Sequence, residues 1–129
     1  MPKQRVTAPG VSEHGVHWSQ ALRNGNLLFI SGQTARLPDG RITALGDAKE
    51  QARVVLGRIR DLCLAAGATM DDILRLGIFV RDIRDVDRVY EVYDEFFSGP
   101  EYPTDTLIGG IQLAQPEFLV EIEATVALA

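Results

Sequence analysis

The feature that most constrains the fold is a strict alternation of side-chain type near the end of the chain. Within the predicted strand over residues 118–128, apolar side chains alternate with polar or small ones from residue 120 onwards. The two sets are Val120, Ile122, Ala124, Val126 and Leu128 on one side and Glu121, Glu123, Thr125 and Ala127 on the other. Successive side chains of a β-strand point to opposite faces of the sheet. The pattern therefore predicts a strand with one buried face and one face that carries two glutamates.

Two helices are predicted to cover the buried face. Apolar residues recur at helical spacing over residues 52–66, with Asp47 as a candidate N-cap and Gly67 as a candidate stop. A second apolar helical face runs over residues 86–97. Both helices present one apolar stripe, which favours packing against a sheet.

The remaining predicted elements are short strands. Asn24-Gly25 lies between two apolar runs and indicates a tight hairpin. The strands are predicted at residues 16–22, 27–31, 41–45, 73–81 and 105–111, after an irregular arm over residues 1–15. The order β-β-(β)-α-β-α-β-β predicts an α+β two-layer sandwich, in which a mixed sheet carries two helices on one face. The uncovered face favours a symmetric oligomer.

Length and composition restrict the classes of function. The 129 residues predict a single domain over 1–129, and the formal net charge of −5 disfavours nonspecific binding to nucleic acid or anionic membranes. The sequence has neither an apolar run of about 18 residues nor a secretory signal pattern. The lone Cys63 excludes an intrachain disulfide and a cysteine metal cluster. A cytoplasmic location is the default expectation.

Five short motifs occur in a fixed order along the chain. They are Trp18-Ser19-Gln20-Ala21, Asn26-Leu27-Leu28-Phe29-Ile30-Ser31-Gly32-Gln33, Ala65-Ala66-Gly67, Glu91-Val92-Tyr93 with Phe96-Phe97, and Val120-Glu121-Ile122-Glu123-Ala124. In these motifs, and over almost its whole length, the sequence resembles the RidA family. That family is also called YjgF/YER057c/UK114 and, in older naming, endoribonuclease L-PSP.

The resemblance implies a fold like that of a small trimeric chorismate mutase. It implies a homotrimer with a small-molecule cleft at each subunit interface and no metal or organic cofactor. The activity that it implies is hydrolysis of reactive enamines and imines, such as 2-aminoacrylate, to keto acids and ammonia. In the family, an arginine in the strand after Pro103 pairs with the substrate carboxylate. A glutamate on the last strand helps to activate water.

The resemblance is uneven at the individual site positions. The family's residues are retained at Ser31, Gly32, Gln33 and Glu121, and Glu121 is the catalytic candidate. The family's tyrosine, asparagine, arginine and serine are replaced by Trp18, Tyr90, Asp105 and Thr106, respectively. Apart from Glu121, all of these residues are candidates for ligand binding.

Asp105 is the substitution with the largest electrostatic consequence. Arginine holds a carboxylate through paired hydrogen bonds, whereas an ionised aspartate can only accept them. Two unit charges about 4 Å apart interact by about 4 kcal/mol at an effective dielectric of 20, so the reversal turns attraction into repulsion. One interpretation is a pocket for a neutral or cationic ligand. The other is a structural Asp105 that caps a turn or pairs with a nearby arginine. If the ligand is a carboxylate, Arg36 or Arg23 is the candidate for the cation that replaces the lost one.

Glu121 and Glu123 are predicted to share one face of the last strand. They could act as an acid and a base if burial raises one pKa. Alternatively, Glu123 is solvated or ion-paired and Glu121 is retained only by the scaffold. The histidines His14 and His17 are expected at the rim of the cleft and not at a metal, because no third ligand accompanies them.

Three functions follow from these observations. The first is hydrolysis of an enamine or imine other than 2-aminoacrylate, with water activated near Glu121. The second is a noncatalytic trimer that binds a metabolite or acts as an interaction protein. The third, endoribonuclease activity, is disfavoured by the acidic pI of about 4.9.

Overall fold

The computed structural model describes residues 2–11 and 17–129. The strands within these residues are β1 (Gln4–Val6), β2 (Ala21–Asn24), β3 (Leu27–Gln33), β4 (Ile73–Val80), β5 (Thr104–Gly109) and β6 (Val120–Ala127). The α-helices are α1 (Ala48–Ala65) and α2 (Val86–Tyr93), and 3₁₀ turns occur at Met70–Asp72 and Ile83–Asp85.

The strands form one mixed sheet with the order β1-β2-β3-β6-β4-β5. Neighbouring strands run antiparallel except for β4 and β5, which are parallel and joined through α2. Helix α1 packs against β3, β6 and α2. The predicted α+β two-layer sandwich is therefore confirmed.

Strand β6 lies inside the sheet, between β3 and β4, and its alternation is observed as predicted. Val120, Ile122 and Val126 are fully buried in the core. The intervening residues, among them Glu121 and Glu123, lie on the opposite face and are partly exposed. The central strand thus carries two carboxylates on the face that no helix covers.

The predicted hairpin is present, with a shorter first strand. Asn24 pairs with Leu27, and Gly25 adopts the positive φ of +59° that the tight turn requires. Strand β2 begins at Ala21. The predicted start of this strand, residue 16, lies outside the described part of the chain.

Three other predictions of local structure are wrong. The arm over residues 1–15 contains β1, a short edge strand that has no alternating pattern to reveal it. Residues 41–45 form no strand, because this loop folds back on itself and makes one isolated bridge, Arg36 to Ile42. Helix α2 ends at Tyr93 and not at 97, and irregular turns follow it.

The first helix begins and ends as predicted. The side chain of Asp47 accepts a hydrogen bond from the backbone N–H of Glu50 at 3.0 Å, which satisfies one free donor of the first turn. After the helix, Gly67 takes a φ of +81°, which side chains disfavour.

A buried glutamine on α1 fixes the segment that precedes β6. The Gln51 side chain donates to the carbonyl of Glu117 at 2.9 Å and accepts from the N–H of Leu119 at 2.9 Å. Gln51 is fully buried, so these bonds satisfy backbone groups that water does not reach. They hold Phe118 at the wall of a cavity between the end of β3 and the start of β6.

Candidate functional site

A cavity of about 800 Å³ lies where β3 ends and β6 begins. Its wall includes six residues from the first two motifs and the last strand: Trp18, Gln20, Ser31, Gly32, Gln33 and Glu121. The loop over residues 36–40, Phe118 and Arg58 of α1 also contribute. We call it the Glu121 cavity.

Glu121 lies directly over Gly32 of the neighbouring strand. A Cβ atom added to Gly32 would stand 2.8 Å from Cδ of Glu121, closer than side chains pack. The absence of a side chain at Gly32 is therefore what allows the carboxyl group to occupy this position. The backbone conformation of Gly32 is not the reason, because its φ is not in the left-handed region.

The environment of Glu121 raises the pKa of its carboxyl group. Burial raises the pKa of the Glu121 carboxyl above its ordinary value, and the negative charge of Glu123 raises it further. A partly buried carboxyl with a raised pKa is suited to proton transfer near neutral pH. Structural carboxyls often have the same shift, so the position of Glu121 over Gly32 in the cavity is the stronger indication of a chemical role.

The raised pKa leads to a prediction for stability. Between the unfolded and folded pKa values, the folded protein binds more protons, so its stability falls as the pH rises. We therefore expect Glu121→Gln to increase the Tm at neutral pH, with a gain that shrinks as the pH is lowered towards about 4. Thermal unfolding across this pH range measures the gain. A decrease in Tm at neutral pH would contradict the assigned environment.

The retained Ser31 and Gln33 form a hydrogen-bonded wall. The hydroxyl of Ser31 donates to the carbonyl of Ser19 at 2.6 Å. The amide of Gln33 is buried and donates to Oε1 of Gln20 at 2.8 Å and to the carbonyl of Ser31 at 3.0 Å. These bonds orient the wall around Glu121. They also leave the Ser31 hydroxyl proton committed to the backbone, which disfavours a nucleophilic serine.

Glu123 has a different environment, although it lies on the same face of β6. Its side chain lies over Gly77 of β4, where an added Cβ would stand 2.8 Å from Cγ. Its Oε2 forms an ion pair with Nη1 of Arg75 at 3.3 Å, and both side chains are about half exposed. Glu123 does not line the Glu121 cavity. The interpretation of Glu123 as an ion-paired surface residue fits this geometry.

Asp105 belongs to a separate group of residues, which we call the Asp105 cluster: Asp105, Tyr90 and Tyr93. The Tyr90 hydroxyl donates to the carboxylate at 3.1 Å and that of Tyr93 at 3.2 Å. The two rings meet edge to face, with centroids 4.9 Å apart. Burial and the charge of Asp105 raise the pKa of both tyrosines, which keeps them protonated as donors. The partners of Asp105 are thus tyrosines and not the arginine or turn that a structural role had suggested.

Within one chain, Asp105 and Glu121 lie on opposite faces of the sheet. Asp105 pairs with Leu76 of β4, which is buried under the helices, whereas Glu121 lies on the uncovered face. Thr106, the next residue, pairs with Gly77 in the row of Glu123. The Glu121 cavity contains none of Tyr90, Asp105 and Thr106. The structure therefore brings together five of the candidate residues and leaves these three apart.

The wall of the Glu121 cavity also carries two positively charged residues, Arg36 and Arg58. Arg36, one of the substitute cations considered from the sequence, lines the cavity, whereas Arg23 on β2 does not. Arg58 was missed, because at its position on α1 it resembles an ordinary surface residue, with Asp61 three residues further on. The signal that identifies it is structural: its Nε is buried and has no hydrogen-bond partner among the described residues.

His17, the one histidine within the described residues, gives no indication of a metal. His17 lines a neighbouring groove with Trp18 and Phe29, and His14 lies outside the described residues. In the described part of the chain, His, Cys, Asp and Glu side chains nowhere gather in threes as metal ligands would. In the same residues, no helix combines the length and the apolar character that a membrane span needs.

Comparison with known proteins places the chain in a family. Residues 11–128 match the family model described as Endoribonuclease L-PSP. The chain is 36% identical over 107 residues to RutC family protein PH0854 of Pyrococcus horikoshii, with 83% of each chain covered. It is 28% identical over 127 residues to a 2-iminobutanoate/2-iminopropanoate deaminase of Dermatophagoides farinae, with 98% of each covered.

Solved structures give the same result. A Rid-family protein of unknown function, YyfA of Yersinia pestis, superposes with a TM-score of 0.89 at 28% identity, covering 98% of this chain and all of that one. TdcF of E. coli with bound serine superposes with a TM-score of 0.85 at 27% identity, covering 98% and 99%. The fold is thus that of the Rid proteins. The chain belongs to the RidA/YjgF family, as its motifs predicted.

Proposed function

We propose that this protein hydrolyses an imine or enamine in the Glu121 cavity, with Glu121 activating the attacking water. The observation that carries the proposal is the position of Glu121, over Gly32 in a cavity large enough for a small metabolite. Its raised pKa supports a role in proton transfer.

The chemistry requires one proton acceptor near the reacting carbon. Ionised Glu121 takes a proton from water as its oxygen attacks the carbon of the C=N bond, whose electron pair moves to nitrogen. Protonation of that nitrogen by the Glu121 carboxyl gives an amine leaving group. The product of these steps is a neutral carbinolamine. Ionised Glu121 accepts its hydroxyl proton and passes it to the amine, so that the C–N bond breaks, ammonia leaves and a C=O bond forms. Water supplies both protons and the oxygen, so the reaction needs no cofactor.

Two relatives support this reaction class. One relative, 28% identical, is named as a 2-iminobutanoate/2-iminopropanoate deaminase. The structure of TdcF, 27% identical, contains bound serine, a small amino acid. Asp105, Tyr90 and Trp18 change the surroundings that the family provides, so we infer a substrate other than 2-aminoacrylate.

A panel of imines tests this proposal. Amino-acid oxidase generates 2-imino acids of increasing size, and amine oxidase generates neutral imines. We expect the protein to accelerate ammonia release from at least one of them more strongly than from 2-aminoacrylate. A preference for 2-aminoacrylate would contradict the inferred change of substrate. A complete lack of acceleration would contradict hydrolase activity.

The alternative is a noncatalytic trimer that binds a metabolite. It is favoured by one observation, the replacement of the family's arginine by an aspartate that two tyrosines engage. Under this alternative, small ligands would raise the Tm through binding to the folded state, and no imine would be turned over. Loss of turnover in a Glu121 variant would argue against it.

We also propose that the protein is a homotrimer with its cleft between subunits. Phe29 on the uncovered face and Ile108 on the edge strand β5 are each about half exposed, at 50% and 45%. The Asp105 cluster could approach a Glu121 cavity only from another chain, because one chain holds them on opposite faces. Light scattering should give three times the 14.2 kDa chain mass. A monomer at micromolar concentration would contradict the proposal.

A further inference from the structure

The Glu121 cavity contains a positive group, Arg58, that forms no ion pair with the described residues. Arg58 reaches the cavity wall from α1 and is only partly exposed. Its Nε is buried without a hydrogen-bond partner in the described part of the chain, and no carboxylate there lies within ion-pair distance. Buried donors of native proteins are almost always satisfied, so this exception requires an explanation.

The electrostatic environment of Arg58 agrees with this geometry. Removal from water lowers the pKa of the guanidinium, and the charge of Asp61 offsets this effect only in part. The group remains charged, because an arginine stays protonated far above neutral pH. An anion that enters the cavity would supply the missing partner.

Arg36, on the same cavity wall, is held in a fixed orientation. Its Nη1 donates to the carbonyl of Gly40 at 2.8 Å, and its guanidinium carbon lies 5.4 Å from the centroid of the Phe118 ring. Phe118 is in turn fixed by the bonds of Gln51 to the two residues that flank it. The guanidinium is therefore preorganised, which reduces the entropy lost when it binds an anion.

The charges of the cavity wall fit one negative charge on the ligand. The charged side chains of the described wall are Arg36, Arg58, Asp39 and Glu121. Asp39 is already paired with Arg41, at 2.7 Å. The proposed reaction needs Glu121 ionised before water attacks. In that state two positive charges and one negative charge leave one positive charge. A carboxylate balances it, whereas a phosphate dianion would leave an excess of negative charge.

We propose that Arg58, together with Arg36, binds the carboxylate of the ligand and so replaces the arginine that is absent at position 105. The proposal rests on the Glu121 cavity being the site of the proposed function. In this arrangement the carboxylate and the reacting carbon of the ligand contact different parts of the wall of the Glu121 cavity. The substrate class is then a 2-imino acid or related acid, held away from the Asp105 cluster.

The test uses propanoate and its neutral isostere propanamide, with binding to the whole protein measured by ligand-observed NMR. We expect propanoate to bind more tightly than propanamide. Arg58→Gln should weaken propanoate by about tenfold or more and leave propanamide unchanged, since a hydrogen bond to a charged group is lost. Arg36→Gln should also weaken the binding of propanoate. Arg60→Gln, a neighbour on α1 outside the cavity, is the matched control.

Three outcomes would overturn the proposal: equal binding of propanoate and propanamide, unchanged propanoate binding in Arg58→Gln, or preferential binding of inorganic phosphate. Arg58→Lys serves as a second variant that keeps the charge and should retain part of the affinity. These readouts require no turnover. Arginine-dependent propanoate binding without imine hydrolysis would uphold the carboxylate site and refute the hydrolase. Turnover of neutral imines alone, unaffected by Arg58→Gln, would uphold the hydrolase and refute the carboxylate site.

Discussion

Replacing Glu121 by glutamine should reduce kcat/KM for imine hydrolysis by about a hundredfold to ten-thousandfold. Glutamine preserves the size of the side chain over Gly32 but cannot accept a proton from water. The variant should remain folded, because the buried carboxyl is unfavourable when ionised. Steady-state ammonia release, with Tm as the check on folding, measures the effect.

Glu123→Gln is the matched control, because Glu123 lies on the same face of β6 and outside the cavity. It should retain most of the activity. The variant removes the negative charge of Glu123, which is one cause of the raised pKa of Glu121. The acidic limb of the pH profile of kcat/KM should therefore move to lower pH. Equal losses in the two variants would show that Glu121 has no special role.

Replacing Gly32 by alanine should reduce kcat/KM by about a hundredfold while the fold survives. The added methyl group would meet the end of the Glu121 side chain, which is flexible and can move aside. The fold is therefore preserved, but the carboxyl group of Glu121 is displaced. Displacement of a catalytic group by about 1 Å is enough for a loss of this size.

Gly77→Ala makes the same steric change on the other side of β6. There the added methyl group meets Glu123, which is a surface ion-pair partner of Arg75. Both alanine variants should have similar Tm values, because both displace a glutamate that can move. Only Gly32→Ala should lose activity. A parallel loss in Gly77→Ala would mean that both changes act through the sheet and not through Glu121.

The fold could be predicted because local pattern and tertiary packing agree. The alternation over residues 120–128 and the apolar stripe of α1 each require a buried face, and these two faces pack against each other. The errors occur where no such pattern exists. Strand β1 is too short to alternate, and the loop over residues 41–45 has strand-like composition but no neighbouring strand to pair with.

The candidate site could be predicted only in part. Motifs identified Glu121 and Gly32, but the sequence does not show that the Glu121 side chain lies over the backbone of Gly32 in the neighbouring strand. The side of the sheet on which Asp105 lies follows from its pairing with Leu76, a register that the sequence does not reveal. Arg58 was missed because an unsatisfied buried donor is a property of packing and not of sequence.

The most direct test is a crystal structure of the protein with 2-oxobutanoate, which carries both a carbonyl group and a carboxylate. The account predicts that the ligand lies in the Glu121 cavity, with its carbonyl carbon beside Glu121 and Gly32 and its carboxylate on Arg58 and Arg36. A ligand bound with its carboxylate at the Asp105 cluster, or outside the Glu121 cavity, would contradict the account.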